Sequence, residues 1–472
     1  MLLNSAFFKL NRIPLLLTVS CFIFYTAFAY NLVRTDYTKL IMLYAILFFL
    51  FYKLVQILKH NVSLLTWIAF GFRAVFIFAI PNLSQDFYRF IWDGQITLIG
   101  LNPYLTTPDF QMGLGILSGF PNQMELYEGM GPLNASHFTN YPPINQFCFV
   151  LANLFPGQSI LSSVIGLRLL IIAADFGTLY FGKKLLEKLN IPAHNIFWYI
   201  LNPFIIIELT GNLHFEGVMI FFLIWSLYLL YVGKWQWAAV VLALSISVKL
   251  IPLIFLPLFF QWFTSTSLNT GIQDNKKDVS LWHKMTKLIS FYAIILVTTL
   301  LLFAPFYASE FINNYAQTVA LWFQNFEFNA SIYYVAREIG YLFRGYNEIA
   351  IIGKITPIIV VLFILIITFF RKNKTTVELF TAMLLALSFY YFTATTVHPW
   401  YVATLLILSV FTKYKFPLVW SFVIILSYLA YINLNKADKS ENLWIIGLEY
   451  AIVYGVFIWE VFIKKTTSSN KL

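Results

Sequence analysis

Residues 38–58 read TKLIMLYAILFFLFYKLVQIL. Lys39, Lys53 and Gln56 lie near its two ends, and the stretch between is apolar. As an α-helix rising 1.5 Å per residue it would be about 30 Å long, the thickness of a bilayer's hydrocarbon core. No water is available there, so a crossing chain must satisfy its backbone groups within itself, and the run reads as a spanning helix. Similar runs recur at 13–31, 63–81, 159–182, 194–211, 214–233, 235–249, 250–263, 286–306, 348–370, 376–396, 400–411, 416–432 and 443–463. The expectation is an all-α polytopic membrane protein with about 12–14 transmembrane helices. The short runs at 235–249, 250–263 and 400–411 suit half-helices or re-entrant segments.

Composition points the same way. The 472 residues are 60% hydrophobic and 11% charged, too little polar surface for a soluble domain of this size. The net charge of +10 is not a nucleic-acid signature. Its bases sit in short clusters between apolar runs: Lys183, Lys184 and Lys188; Lys276, Lys277, Lys284 and Lys287; Arg371, Lys372 and Lys374; Lys413 and Lys415; Lys464 and Lys465. That is the positive-inside pattern, and it puts those loops and both termini on the cytoplasmic side. Lys9 and Arg12 precede the first apolar run without a convincing cleavage site, so that run reads as an uncleaved span. Cys21 and Cys148 both fall in apolar stretches and imply no disulfide framework. The whole chain, 1–472, reads as one integral-membrane domain with two long extracytoplasmic loops, 82–143 and 307–347. A richness in Phe, Ile, Lys and Asn suits a bacterial inner membrane, with the long loops facing the periplasm.

Unusual chemistry collects in the first of those loops. Residues 84–104 read SQDFYRFIWDGQITLIGLNPY. A helix over 85–98 would carry Asp86, Arg89 and Asp93 on one face, since they are three and four residues apart. Phe87, Phe90, Ile91 and Leu98 would supply apolar contact, and the expectation is an amphipathic helix lying on the outer leaflet. The charged triplet fits either a solvated ion ladder or a site in which one carboxylate stays ionised as a catalytic base. Gly100 and Pro103 would then turn the chain, and the NYPPIN of 140–145 fixes an extended segment. Ile144–Phe155, about twelve residues, reads as a partly embedded helix.

Together, Asp86-Phe87-Tyr88-Arg89-Phe90-Ile91-Trp92-Asp93-Gly94, Gly100-Leu101-Asn102-Pro103-Tyr104 and Tyr141-Pro142-Pro143 resemble the first luminal loop of GT-C superfamily glycosyltransferases. The nearest likeness is to bacterial polyprenyl-phosphate-mannose-dependent mannosyltransferases, with the catalytic subunit of GPI mannosyltransferase I more distant. LNPFIIIELTGNLHFEG (201–217), SVKLIPLIFLPL (247–258), FEFNASIYYVAR (326–337) and VHPWYVATLL (397–406) follow in the expected order.

The resemblance implies transfer of a hexose, mannose by that likeness, from a polyprenyl-phosphate donor to an extracytoplasmic glycan or glycolipid, with inversion. It implies Asp86 as general base and Asp93 as a residue shaping the site. Many relatives carry a second aspartate two residues before the base. Here that position is Ser84, so a carboxylate pair holding a metal is not expected, nor is any cofactor.

Other residues fit either substrate contact or a structural role. Lys249, costly within a membrane, suits the departing phosphate or snorkelling to the interface. Arg337 and Arg344 suit phosphate or a solvated face beside Glu338 and Glu348. His398 suits phosphate, sugar hydroxyls or a helix end, and Trp400 and Tyr401 suit sugar stacking or an interfacial belt. His214 and Glu216 suit sugar or acceptor, and Asn329 suits the acceptor or a helix cap. Arg89, Asn102, Tyr104 and Tyr141 join the substrate-binding set through the motif. Rival readings are a lipid or sugar transporter or flippase, a polysaccharide ligase or polymerase, and a non-catalytic assembly subunit. The partners expected are the donor, the acceptor and membrane lipids, not nucleic acid.

Overall fold

A computed structural model describes residues 12–116, 122–157, 159–265, 280–324, 326–429 and 441–464. The basic cluster at 276 and 277 lies outside them, as do Lys9, Lys465 and most of the loop between 264 and 280. Within them the chain is an all-α polytopic membrane protein. Among the described residues, β pairing is limited to an isolated bridge between Phe328 and Thr396.

Among the described residues, seven helices are long and apolar enough to cross a bilayer. They are α1 (Arg12–Asn31), α2 (Tyr37–Leu58), α7 (Ile160–Lys188), α10 (Leu281–Phe303, with a last tight turn to Phe306), α13 (Ile349–Phe370), α14 (Thr376–Thr393) and α17 (Leu443–Ile458, continuing to Ile463). An eighth is broken: Pro203–Gly211 and α8 (Glu216–Tyr231) meet at 114°. Five apolar helices are shorter: α3 (Val62–Val75), α9 (Trp235–Ile246), Ile251–Thr264, Pro399–Val410 (ending in α15, Val402–Val410) and Phe416–Leu429 (beginning with α16, Phe416–Val423). None of these five reaches the roughly 20 residues that cross a bilayer unaided.

The differences from the expected spans have local causes. The run at 63–81 stops being helical at Val75, and Asn82 then donates to Phe28 O (2.8 Å) and Leu32 O (3.2 Å), tying the chain to the end of α1. The run at 194–211 is interrupted at Asn202–Pro203, where proline lacks the donor an uninterrupted helix needs. It resumes as a π-helical turn over Ile206–Gly211. Pro252 and Pro257 likewise leave Ile251–Leu258 as a tight 3-10 turn rather than an α-helix.

The first long loop carries α4 (Asp86–Leu98), α5 (Gln123–Ala135) and α6 (Pro143–Asn153), the last matching the short helix expected there. Here the structure corrects the sequence reading. Helix α4 does not lie on the leaflet, because Phe87, Phe90, Ile91, Trp92 and Ile96 are buried together with Arg89 and Asp93. It packs between α5 and α6. At Gly94 a Cβ would stand 2.6 Å from Phe149 O and 2.2 Å from Asn153 Nδ2, so only glycine lets α4 and α6 approach this closely. The second long loop carries α11 (Phe311–Gln324) and α12 (Ile332–Arg344).

Two buried arginines brace the broken span. Arg168 of α7 donates to Thr210 O (2.8 Å), Gly211 O (3.0 Å) and Ile77 O (2.9 Å). These include carbonyls that a helix end leaves without partners. Arg73 of α3 pairs with Asp175 at 2.8 Å and donates to Ile200 O at 2.7 Å beside the proline break. Leu213, at φ 63, completes the reversal into α8.

Candidate active site

The two long loops meet the ends of the helices around a cavity of about 400 Å³. Asp86, the first residue of α4, is half-buried in its wall. Burial raises its carboxyl above the ordinary range; the Lys249 charge draws it back, Glu216 pushes it up, and a hydrogen bond from the Asn134 side chain favours the charged form. Such a carboxylate, when ionised, is a stronger base than one in water.

The expected triplet does not form a ladder. Arg89 Nε bonds Asp93 Oδ1 at 2.7 Å, with both side chains nearly buried. Its Nη1 donates to Asn134 O (2.5 Å) and His137 O (3.0 Å). Arg89 therefore fastens α4 to the end of α5 while one edge reaches the cavity. Asp93 lies behind the wall and also accepts from Gln146. Among the described residues Asp86 forms no ion pair with Arg89.

Opposite Asp86, Lys249 bonds Glu216 at 3.1 Å, and its ammonium stands 5.3 Å from the Tyr141 ring centre. All three line the cavity. Lys249 precedes Leu250 and Ile251, which belong both to the cavity and to a second, apolar groove of about 370 Å³. Tyr390, Ala394 and Thr395 are shared in the same way. The groove runs on between the 250–257 turn and the Val360 and Ile364 face of α13.

His398, Trp400 and Tyr401 also line the cavity. His398 stacks on Trp400 (4.6 Å between ring centres, 7°) and on Phe328 (5.2 Å, 28°). Trp400 stacks in turn on His214 (3.6 Å, 18°). Burial, then the charges of Lys249 and Arg34, push His398 down to about 3, so its ring is neutral at physiological pH. It offers hydrogen bonds at its edge, not a charge.

The remaining expected residues stand behind the walls. His214 is buried 3.8 Å from Glu208, whose carboxylate accepts from Tyr428 at 2.8 Å. Asn102 accepts from Tyr104 N (3.0 Å) and donates to Phe306 O (2.7 Å). Tyr104 donates to Tyr141 O (2.6 Å) and its carbonyl accepts from Asn314 (3.1 Å). Asn102 thus ties the first loop to the end of α10, and Tyr104 ties it to the second loop. Asn329 is fully buried at φ 45, with its backbone N–H on Glu441 and its amide on Glu449 (3.2 Å). It fixes the Phe328 bridge against Thr396. Arg337 pairs with Glu327 (2.7 Å) and Glu338 (2.9 Å), and Arg344 with Glu348 (3.0 Å), all outside the cavity wall.

Sequence reasoning missed Arg34. It lies in the short loop between α1 and α2, lines the cavity, and among the described residues forms no ion pair. Its guanidinium stands 5.9 Å from the Tyr428 ring centre. A signal was present, since an arginine on the side that the charge pattern makes non-cytoplasmic runs against that pattern. Asn134 and His137, also in the wall, carried no comparable signal.

Comparison with known proteins places the chain in a family. Over residues 20–265, just over half of the chain, the sequence matches a family model described as alpha-(1->6)-mannopyranosyltransferase, N-terminal domain. It is also similar to alpha-(1->6)-mannopyranosyltransferase A of Mycobacterium tuberculosis (strain ATCC 25618 / H37Rv). The two are 23% identical over 190 residues, which cover 40% of this chain and 34% of that protein. The match thus spans about a third of the relative's length. The family match includes Asp86, Glu216 and Lys249, the three groups that face one another in the cavity, and the chain belongs to this MptA/B family of alpha-(1->6)-mannopyranosyltransferases.

Proposed function

We propose that the protein is a membrane mannosyltransferase that moves a mannosyl group from a polyprenyl-phosphate carrier to a hydroxyl of a glycan or glycolipid. The observation that carries this reading is the adjacency of two unlike spaces. A cavity lined by an ionisable carboxylate shares the wall residues Leu250, Ile251, Tyr390, Ala394 and Thr395 with an apolar groove. A sugar on a greasy carrier needs both, one for its polar head and one for its hydrocarbon tail.

The groups fit an in-line displacement. Asp86 takes the acceptor's O–H proton as that oxygen attacks the anomeric carbon. The bond from that carbon to the phosphate oxygen breaks, and the electron pair stays on the phosphate. Attack from the opposite face inverts the centre. The phosphate passes from one negative charge to two, so cations that strengthen their hold late in the reaction lower the barrier. Lys249, where cavity and groove join, is one such cation, and its pairing with Glu216 leaves little net charge to spare. Arg34 supplies another. Neutral His398, clamped between Trp400 and Phe328, meets sugar hydroxyls at its edge.

The basic cluster at 183–188 lies in the last turns of α7, and those at 371–374 and 413–415 follow α13 and α15, at the ends remote from the cavity. By the positive-inside rule the cavity then faces away from the cytoplasm, which in a bacterium is the periplasm.

The test uses purified protein in lipid discs with labelled mannosyl polyprenyl phosphate and a panel of acceptors. Bond cleavage with formation of a mannosylated acceptor is expected. Asp86→Asn, nearly the same size, should retain the fold and lower turnover by at least about 10²-fold, the low end of general-base contributions. Near-normal turnover in that variant would remove the assignment. Movement of the intact carrier across the membrane without cleavage would replace the reading with a transporter.

A further inference from the structure

Helix α12 carries an unpartnered apolar stripe. Ile332, Val335, Ile339, Leu342 and Phe343 fall within about 100° of arc on a helix of 3.6 residues per turn. All five are exposed, Leu342 and Phe343 at 84% each. The opposite side is engaged. Tyr333 and Tyr334 are buried, and Arg337 is held by Glu327 and Glu338. The two faces are therefore sharply divided.

The helix is fixed at a definite depth. At its start Ser331 Oγ donates to Phe392 O (2.9 Å), near the end of span α14. At its other end Gly345, at φ 75, turns the chain, and span α13 begins at Ile349. Near that start α13 presents Ile351, Ile355 and Ile358, all exposed, as a spanning helix presents side chains to lipid. The stripe-bearing helix thus packs against α13 and is joined by a short turn to its exposed start.

We infer that α12 lies in the interface of the cavity-side leaflet, with Val335, Ile339, Leu342 and Phe343 dipping among the lipid chains. The occupant of the stripe is lipid. No charged side chain falls within that arc, and the helix is tied at both ends to the spans α14 and α13, as suits a helix lying in the interface. The membrane-lying helix is then in the second long loop, whereas α4 of the first loop is enclosed in protein. The inference does not depend on the chemistry proposed for the cavity.

An environment-sensitive fluorophore on a single introduced cysteine tests it. The native thiols, Cys21 and Cys148, are both buried, so labelling would fall on the new site. Phe343→Cys and Leu342→Cys report from the stripe, and Glu338→Cys, at an exposed polar position, is the comparison. In lipid discs the stripe probes should emit at shorter wavelength. They should be quenched several-fold more by spin-labelled phosphatidylcholine than the Glu338→Cys probe, and several-fold less by iodide. Two results would overturn the inference. One is iodide quenching at 342 and 343 equal to that at 338, with no response to the lipid quencher. The other is energy transfer between stripe probes on two copies of the chain with no lipid quenching, which would make the stripe a contact between copies.

Discussion

Lys249 shows how one residue serves two neighbours. It cancels the charge of Glu216 at 3.1 Å and lowers the proton affinity of Asp86, which burial raises. The sign of a pH experiment follows. Asp86 must be ionised to act as a base, so activity falls as pH drops through its raised pKa. Lys249→Gln removes the charge that draws the pKa down and leaves Glu216 uncompensated, which pushes it up. The acid limb of the kcat/KM profile should therefore move to higher pH. A limb that stays in place would mean that Asp86 does not set it. Arg34 predicts a different pattern. If it gains strength as the phosphate gains charge, Arg34→Gln should lower kcat more than it raises KM, by roughly 10²-fold, in the range of a lost electrostatic donor. Equal kcat with raised KM would reduce Arg34 to ordinary substrate binding. At this scale the sequence was legible where chemistry is conspicuous. Asp86, Glu216, Lys249, His398, Trp400 and Tyr401 all stood out, and all reach the cavity. Asp93, Asn102, Tyr104 and Asn329 stood out equally, yet they hold walls together from behind. Residue type and spacing do not say which way a side chain points.

At the scale of the element, the decisive feature is the span broken between Pro203 and Glu216. It places Glu216 at a helix start inside the cavity and His214 under Trp400. Such a break exposes backbone carbonyls in a region without water, and each would cost several kcal/mol unpaired. Arg168 satisfies Thr210 O and Gly211 O directly. Arg168→Met keeps the length and removes the donors. It should lower the detergent melting temperature and cost roughly 2–5 kcal/mol, as two or three carbonyls lose partners worth about 1–3 kcal/mol each when buried. Because the break shapes the site, residual activity should fall with it. An unchanged melting temperature would show that the carbonyls find other partners. The apolar runs at 194–211 and 214–233 already part at this point, but nothing in their composition says that the two pieces meet at a sharp bend. The partner that decides it, Arg168, is more than thirty residues away.

On the scale of the whole molecule, the proposed reaction rests on a cavity that shares a wall with an apolar groove. Three separate segments build the groove: the 250–257 turn, α13 and the end of α14. Thr356→Trp, within the groove, should raise KM for a long-chain polyprenyl donor several-fold and leave a short-chain water-soluble analogue unaffected. Equal effects on both would detach the groove from the donor tail. The sequence by itself determined that the chain is helical and crosses a membrane many times. It also determined which loops are basic and where polar chemistry gathers. Those properties follow from the period and length of apolar runs, and each run senses the bilayer locally. Only the tertiary structure decided that α4 is enclosed instead of lying on a leaflet, that Arg34 reaches the cavity, and that the cavity shares a wall with a groove. These depend on which side chains from distant segments meet, and close packing of helices settles that through contacts such as Gly94 against Phe149, not through composition.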